Sequence, residues 1–157
     1  REIRVHGQSK RYVHMRVGVG GRMDTLQCAI VLAKLDRFDW EAEQRLAIGQ
    51  RYNELIDQHG ARRIVQRDDR DSVFAQYTVL VDDREAVQAR LQEAGIPTAV
   101  HYPVPLNEQP AYRDLCSGMP TPKAAAMAKC VMSLPMGADL VADDQLRIVD
   151  CLFPKQA

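Results

Sequence analysis

Phe74-Ala75-Gln76-Tyr77-Thr78-Val79-Leu80-Val81, followed at once by Asp82-Asp83, is the stretch on which the fold class turns. Its β-branched and aromatic residues suit a strand, and an aspartate pair is a helix-start signal. The reading is a strand, then a helix that Gly95 ends. Downstream, Ile96-Pro97-Thr98-Ala99-Val100-His101-Tyr102 reads as a second short strand, stopped by the loop Pro103-Val104-Pro105-Leu106-Asn107. Mostly helix is expected beyond it. Thr121-Pro122 supplies an N-cap and a first-turn proline for a helix to about Val131. Ser133-Leu134-Pro135-Met136 is a short extended piece, and Asp143 caps a last helix to Phe153.

Upstream, Asp24-Thr25-Leu26-Gln27 resembles a capping box. Leu26, Ala29, Ile30 and Ala33 recur at helical spacing, and Leu26, Ala29 and Ile30 are assigned to the core. A second run, Leu46, Ile48, Tyr52, Leu55 and Ile56, carries the pattern to Gly60. One long or kinked helix is expected, with a restart near Asp39, and Trp40 is assigned to packing or an interface. The class is therefore α+β, a long helix and then a small sheet of two or three strands covered by helices, without repeated βαβ units. No internal repeat or low-complexity tract interrupts it.

The chain has 157 residues, enough to hide about two thirds of its unfolded surface. With 46% apolar and 27% charged residues, and 21 basic against 21 acidic, disorder is not expected. Nor does bulk charge draw it to nucleic acid or anionic membrane, so neither is expected as a partner. Cys28, Cys116, Cys130 and Cys151 lie far apart, without metal-ligand spacing, and read as reduced thiols of a cytoplasmic protein. No apolar run approaches the roughly 20 residues of a membrane span. The opening Arg1-Glu2-Ile3-Arg4, without Met and in mid-pattern, reads as the start of a segment cut from a longer chain.

The densest polar cluster is the first 22 residues, where Arg1, Arg4, Lys10, Arg11, Arg16 and Arg22 accompany His6, His14 and Tyr12. Cations and glycine-freed amides suit phosphate or carboxylate; a solvated end would look the same. Arg22 follows Gly18-Val19-Gly20-Gly21 and precedes a helix N-terminus, which favours an anion, although a structural role fits as well. The glycine string lacks the spacing of a dinucleotide-binding fingerprint. His101 and Tyr102 enter a Pro-rich loop, where a scaffold presents side chains to a ligand; packing with a satisfied hydrogen bond is the plainer reading.

Taken in order, Arg4-x-His6-Gly7-Gln8, Arg11-Tyr12-x-His14 and Gly18-Val19-Gly20-Gly21-Arg22-Met23-Asp24-Thr25-Leu26-Gln27-Cys28-Ala29-Ile30 resemble the hallmark region of the DegT/StrS family of nucleotide-sugar aminotransferases. Gly95-Ile96-Pro97-Thr98-Ala99-Val100-His101-Tyr102-Pro103-Val104-Pro105-Leu106, with Gln109-Pro110-Ala111-Tyr112 and Ser133-Leu134-Pro135-Met136, resembles the same family's C-terminal half. The likeness covers nearly the whole chain, and is greatest to members that aminate a UDP-linked 3-keto-glucuronate.

The resemblance implies the C-terminal portion of a fold-type I transferase that uses pyridoxal 5'-phosphate (PLP). It divides the chain into an active-site segment (1–23), a connecting interdomain helix (24–60) and a small α+β domain (61–157). It also implies L-glutamate as amino donor, a UDP- or dTDP-linked keto-sugar as acceptor, and a homodimer whose subunits complete each other's sites. The family's PLP-bearing lysine lies outside this segment, because none of Lys10, Lys34, Lys123, Lys129 and Lys155 sits in its motif. The segment alone is therefore expected to be inactive. Gly18-Val19-Gly20-Gly21-Arg22 matches the family's Gly-x-Asn-x-Arg motif except at Gly20, which leaves only a backbone amide for the PLP phosphate. Arg22 would face the anionic sugar nucleotide, and His101 and Tyr102 would line the sugar pocket. The glycine leaves two alternatives open, a noncatalytic sugar-nucleotide-binding homologue and a structural dimerisation fragment.

Overall fold

The computed structural model describes residues 2–21 and 23–154, so Arg22 lies outside the described residues. The chain forms two compact units, one ending at Trp40 and one beginning at Glu41.

In the first unit β1 (Gln8–Lys10) and β2 (Val13–His14) make a short antiparallel hairpin, with Tyr12 at φ 65° in its turn. The approach of residues 3–7 to residues 15–21 requires glycine at two places. A Cβ on Gly7, itself at φ 70°, would strike the carbonyl of Arg16, and one on Gly18 would strike the Gly7 amide and the Ile3 carbonyl. Helix α1 (Thr25–Leu35) follows, and the Asp24 carboxylate accepts from the Gln27 amide at 2.8 Å, the expected cap. The core assignment of Leu26, Ala29 and Ile30 is corrected by the structure. No residue of α1 is buried, and Leu26, Ile30, Val31, Leu32 and Leu35 are all exposed. Helical periodicity marks the face that seeks cover, but not whether the same chain provides it.

The expected long helix is two helices, interrupted at Asp36–Arg37 before α2 (Phe38–Gln58) begins, one residue ahead of the anticipated restart. At Trp40 the Arg37 guanidinium lies over the ring, 4.5 Å from its centroid. Gly60, at φ 61°, ends α2: the Ala61 amide returns to the Ile56 carbonyl and the Gly60 amide to Asp57, a double bond pattern open to glycine.

The second unit is built on an antiparallel sheet of β3 (Arg62–Arg63), β4 (Tyr77–Leu80) and β5 (Val131–Leu134), in that order. β4 and β5 pair Tyr77 with Leu134, Thr78 with Ser133, Val79 with Met132 and Leu80 with Val131. The strand expected at residues 96–102 contracts to one bridge, Ala99 to Ser133, since Pro97 has no N–H to extend a ladder. All four residues of β5 are buried, making the stretch that read as a minor extended piece the most enclosed strand.

Helix α3 (Arg84–Glu93) is capped by Asp83, which accepts from the Ala86 amide at 3.1 Å, and ends at Gly95 as the sequence indicates. After the Pro-rich loop, where mostly helix was expected, come one 3-10 turn (Leu106–Glu108) and further turns up to Gly118. Then follow α4 (Pro122–Cys130) and α5 (Ala142–Leu152). Thr121 does not cap α4 with its side chain; its hydroxyl donates to Asn107 Oδ1 at 2.9 Å. Val141, not Asp143, is the N-cap of α5, and Asp143 and Asp144 occupy the first turn, where they favour the positive end of the helix.

The core is filled by Ile48, Tyr52 and Ile56 from one face of α2, Tyr77 and Val79 from β4, Leu91 from α3, Met132 and Leu134 from β5, and Ile148, Val149 and Leu152 from α5. Burying each such aliphatic side chain is worth roughly 1.5–3 kcal/mol. Polar groups inside it are all engaged. The Tyr52 hydroxyl donates to the Pro135 carbonyl at 3.1 Å and the Tyr77 hydroxyl to Asn53 Oδ1 at 2.9 Å, with the two rings stacked 4.7 Å apart. Gln145, fully buried, donates to the Ile48 carbonyl and accepts from Arg51, each at 2.9 Å, and so joins α5 to α2. Arginines close helix ends across the unit. Arg90 of α3 donates to the Cys151 and Leu152 carbonyls at 2.9 Å, Arg147 of α5 donates to the Ala94 carbonyl, and Arg84 meets the Ala128 carbonyl at 2.6 Å.

Gly49, in mid-α2, lies against the Phe74 ring, and an added Cβ would enter that ring. Phe74 itself is held at φ 44° with its carbonyl accepting from Arg45. Gly49→Ala should therefore lower stability by about 1–3 kcal/mol, although alanine is the better helix former, and Phe74→Ala should remove that penalty. Urea unfolding of the single and double variants measures it. Burial also holds the Tyr52 and Tyr77 hydroxyls well above the usual tyrosine range, aided at Tyr52 by Tyr77 and Asp144. A folded-state value above the unfolded one gives stability that is complete below about pH 10 and is lost as pH rises. The urea midpoint should fall above about pH 10, and fall less steeply in Tyr52→Phe.

Candidate functional site

His101 and Tyr102 leave the sheet edge directly after the Ala99 bridge, joined by a cis peptide bond. Their rings meet edge to face, centroids 5.7 Å apart. His101 is half-buried and Tyr102 72% exposed, so the tyrosine has a face for something other than this unit's core. The His101 ring is held from below, its Nδ1 lying 3.0 Å from Ser133 Oγ, which lies 3.2 Å from Thr78 Oγ1. Sequence reasoning did not assign roles to Ser133 or Thr78. A signal was present: Ser133 is the one hydroxyl in Val131-Met132-Ser133-Leu134, and a polar group in a buried strand requires a partner.

Beside this pair a cavity of about 510 Å³ is walled by His101, Tyr102, Val104, Leu106, Met127 and Val131 among others. It falls in the usual size range for small-molecule sites, which join apolar walls to a few placed polar groups. The Pro103 and Pro105 rings also line it. Fixed proline φ angles stiffen that wall.

Gly20 belongs to the first unit. It sits opposite Val5, flanked by bonds from the His6 amide to the Val19 carbonyl (3.1 Å) and from the Gly21 amide to the Arg4 carbonyl (2.9 Å). That pattern makes Val5–Gly20 a non-hydrogen-bonded pair, so the Gly20 amide points away from its neighbour strand. It takes no partner among the described residues. A Cβ at Gly20 would stand 3.1 and 3.2 Å from two atoms of the His6 ring, close enough that the ring would have to give way. Gly20, Met23, Asp24 and Thr25 line a cavity of about 370 Å³ at the start of α1. Of the cations in the opening cluster, Arg16 reaches Glu2 at 3.9 Å and Arg11 lies over the Tyr12 ring, while His14 Nδ1 is 2.9 Å from the His6 carbonyl.

Among the described residues no group of His, Cys, Asp and Glu could hold a metal ion, and no helix is long and apolar enough to cross a membrane. The structure brings His101 and Tyr102 together, with Gly20 in the other unit and Arg22 outside the described residues.

A small antiparallel sheet packed by helices, preceded in the chain by a glycine-laced hairpin and two helices, is the element order that this chain shares with sugar aminotransferases. Residues 1–153 match the DegT/DnrJ/EryC1/StrS aminotransferase family, and the chain belongs to it. It is 49% identical to UDP-2-acetamido-2-deoxy-3-oxo-D-glucuronate aminotransferase of Pseudomonas aeruginosa, over 87% of this chain and 37% of that protein. Among solved structures, a DegT DnrJ EryC1 StrS aminotransferase from Brucella abortus superposes with a TM-score of 0.85 at 29% identity, over 96% of this chain and 41% of the other. DesV of S. venezuelae, in complex with a ketimine intermediate, gives a TM-score of 0.86 at 28% identity, covering 97% and 42%. The chain thus spans about two fifths of the length of these relatives.

Proposed function

We propose that this chain is the C-terminal part of a PLP-dependent aminotransferase that moves the amino group of L-glutamate to a UDP- or dTDP-linked keto-sugar, in cytoplasmic biosynthesis of a cell-surface polysaccharide. The observation that carries the reading is the family match over residues 1–153, together with 49% identity to an enzyme named for a UDP-linked 3-oxo-glucuronate. When bound, PLP supplies an electron sink and carries the amino group from donor to acceptor. Its lysine is assigned to sequence outside these residues, so the segment alone does not transaminate.

The residues at Gly20 suit a phosphate group. Its amide is unengaged and faces away from the ladder, Gly20 adds no side chain of its own over it, and the N-terminus of α1 is close by in sequence. The task of this residue is to donate that amide to a PLP phosphate oxygen. Arg22 presents a planar, permanently charged fork to the anionic sugar nucleotide. His101 and Tyr102 line the sugar pocket, the histidine orienting a ligand oxygen and the tyrosine giving an exposed ring for the sugar to pack on. A homodimer fits α1, whose leucine, isoleucine and valine side chains are all exposed in this chain. The working layout is an active-site segment (1–23), a connector (24–60) and a small domain (61–157).

Two experiments on the full-length protein test these roles. Arg22→Lys keeps charge and loses the fork, and should slow the keto-sugar half-reaction while sparing the glutamate half-reaction. Arg22→Ala should lose more, by about 1.5–3 kcal/mol for a charge-assisted bond. Single-turnover absorbance of each half-reaction separates the cases, and equal losses in both would move Arg22 to the cofactor environment. Gly20→Asn should tighten PLP binding by roughly 0.5–1.5 kcal/mol once the His6 ring yields. Unchanged or weaker affinity in a PLP titration would mean that a side-chain donor adds nothing to the backbone amide.

A further inference from the structure

We propose that Ser133 and Thr78 are a positioning pair that locks His101 into one neutral tautomer, with its proton on Nε2, so that the ring meets a ligand oxygen as a hydrogen-bond donor. That the ligand is a keto-sugar nucleotide rests on the function proposed above; the tautomer does not.

The pair is set by strand register. Ser133 gives its backbone N–H to the Ala99 carbonyl at 2.7 Å and receives the Ala99 N–H at 3.1 Å. Thr78 and Ser133 are therefore a non-hydrogen-bonded pair of the β4–β5 ladder, the kind whose side chains stand closest. Ser133 is 4% exposed, and its hydroxyl has two neighbours, Thr78 Oγ1 at 3.2 Å and His101 Nδ1 at 3.0 Å. A serine hydroxyl carries a single hydrogen and two lone pairs, and because Ser133 is enclosed its hydrogen must itself be spent on Thr78 or on Nδ1, which leaves two directions for the chain of bonds.

In one direction Thr78 donates to Ser133 and Ser133 donates to Nδ1, and both hydroxyl hydrogens are used. In the other, Nδ1–H donates to Ser133 and Ser133 to Thr78. The Thr78 hydrogen is then without an acceptor among the described residues. Thr78 is half-buried, so in that direction its hydrogen has only solvent to turn to, whereas the first direction satisfies both hydrogens inside the protein. The first direction wins, Nδ1 is an acceptor, and the proton resides on Nε2. Nε2 takes no partner among the described residues, and the ring forms part of the wall of the 510 Å³ cavity. The cavity is offered a fixed N–H, which selects a carbonyl, hydroxyl or phosphate oxygen and disfavours a ligand group that can only donate.

The test is a proton–nitrogen-15 correlation spectrum of the histidine-labelled full-length protein at about pH 8. The His101 signals are assigned by their loss in His101→Asn. A protonated Nε2 with a bare Nδ1 is expected in the unaltered protein, tautomer averaging in Ser133→Ala, and the single tautomer again in Ser133→Thr. A proton on Nδ1 in the unaltered protein overturns the proposal even if Ser133→Ala fails to fold, and so does a single unchanged tautomer in a folded Ser133→Ala. In the same preparations the KM for the UDP-linked 3-keto-sugar should rise about two- to tenfold in Ser133→Ala, with the glutamate half-reaction unchanged. Averaged tautomers with an unmoved KM would uphold the positioning pair and refute the sugar-pocket reading instead.

Discussion

Ser133 stands where the second unit's constraints meet. Its backbone is committed to Ala99 on one side, its strand is paired to β4 on the other, and its side chain spans Thr78 and His101. A shift of one residue in the β4–β5 register would turn Thr78 to the opposite face and carry Tyr77 and Val79 out of the core. Register is thus the quantity that couples packing to the site. The same ladder that buries Met132 and Leu134 decides where the His101 ring stands. Because all of β5 is buried, an error there cannot be relieved by solvent.

Much of the scaffold was legible because its signals are local. The caps of Asp24 and Asp83 and the stops at Gly60 and Gly95 depend on residues within one turn, and the chain displays them in order. The α2 stripe of Ile48, Tyr52 and Ile56 was equally readable, since its cover lies within the chain. On α1 the same kind of pattern misled, for a stripe records apolarity and not the whereabouts of its cover. The proline at 97 was visible too, yet its effect in reducing a strand to a single bridge depended on which neighbour the segment would meet.

The site was legible in part. His101 and Tyr102 stood out by their place before a stiff loop, and resemblance to a family gave them a use. What held His101 could not be read, because Ser133 is 32 residues away and Thr78 is 55 from Ser133, and no local rule brings them together. Gly20 was noticed for what it lacks. Its outward amide and the His6 ring beside it emerge only once the bridge to Val5 is formed.

The arginines that reach between α3 and α5 have a further consequence. Arg90 secures the last carbonyls of α5, and Arg147 secures the end of α3. Each helix therefore holds the frayable end of the other, and because Arg90 acts from the last turn of α3, loosening that turn withdraws the clamp from α5. Terminal turns in most helices open independently and at little cost, but here the two ends are linked into one cooperative element. The edge of the unit most distant in sequence, residues 142–152, is thereby tied to the breathing of the helix that precedes the His101 strand.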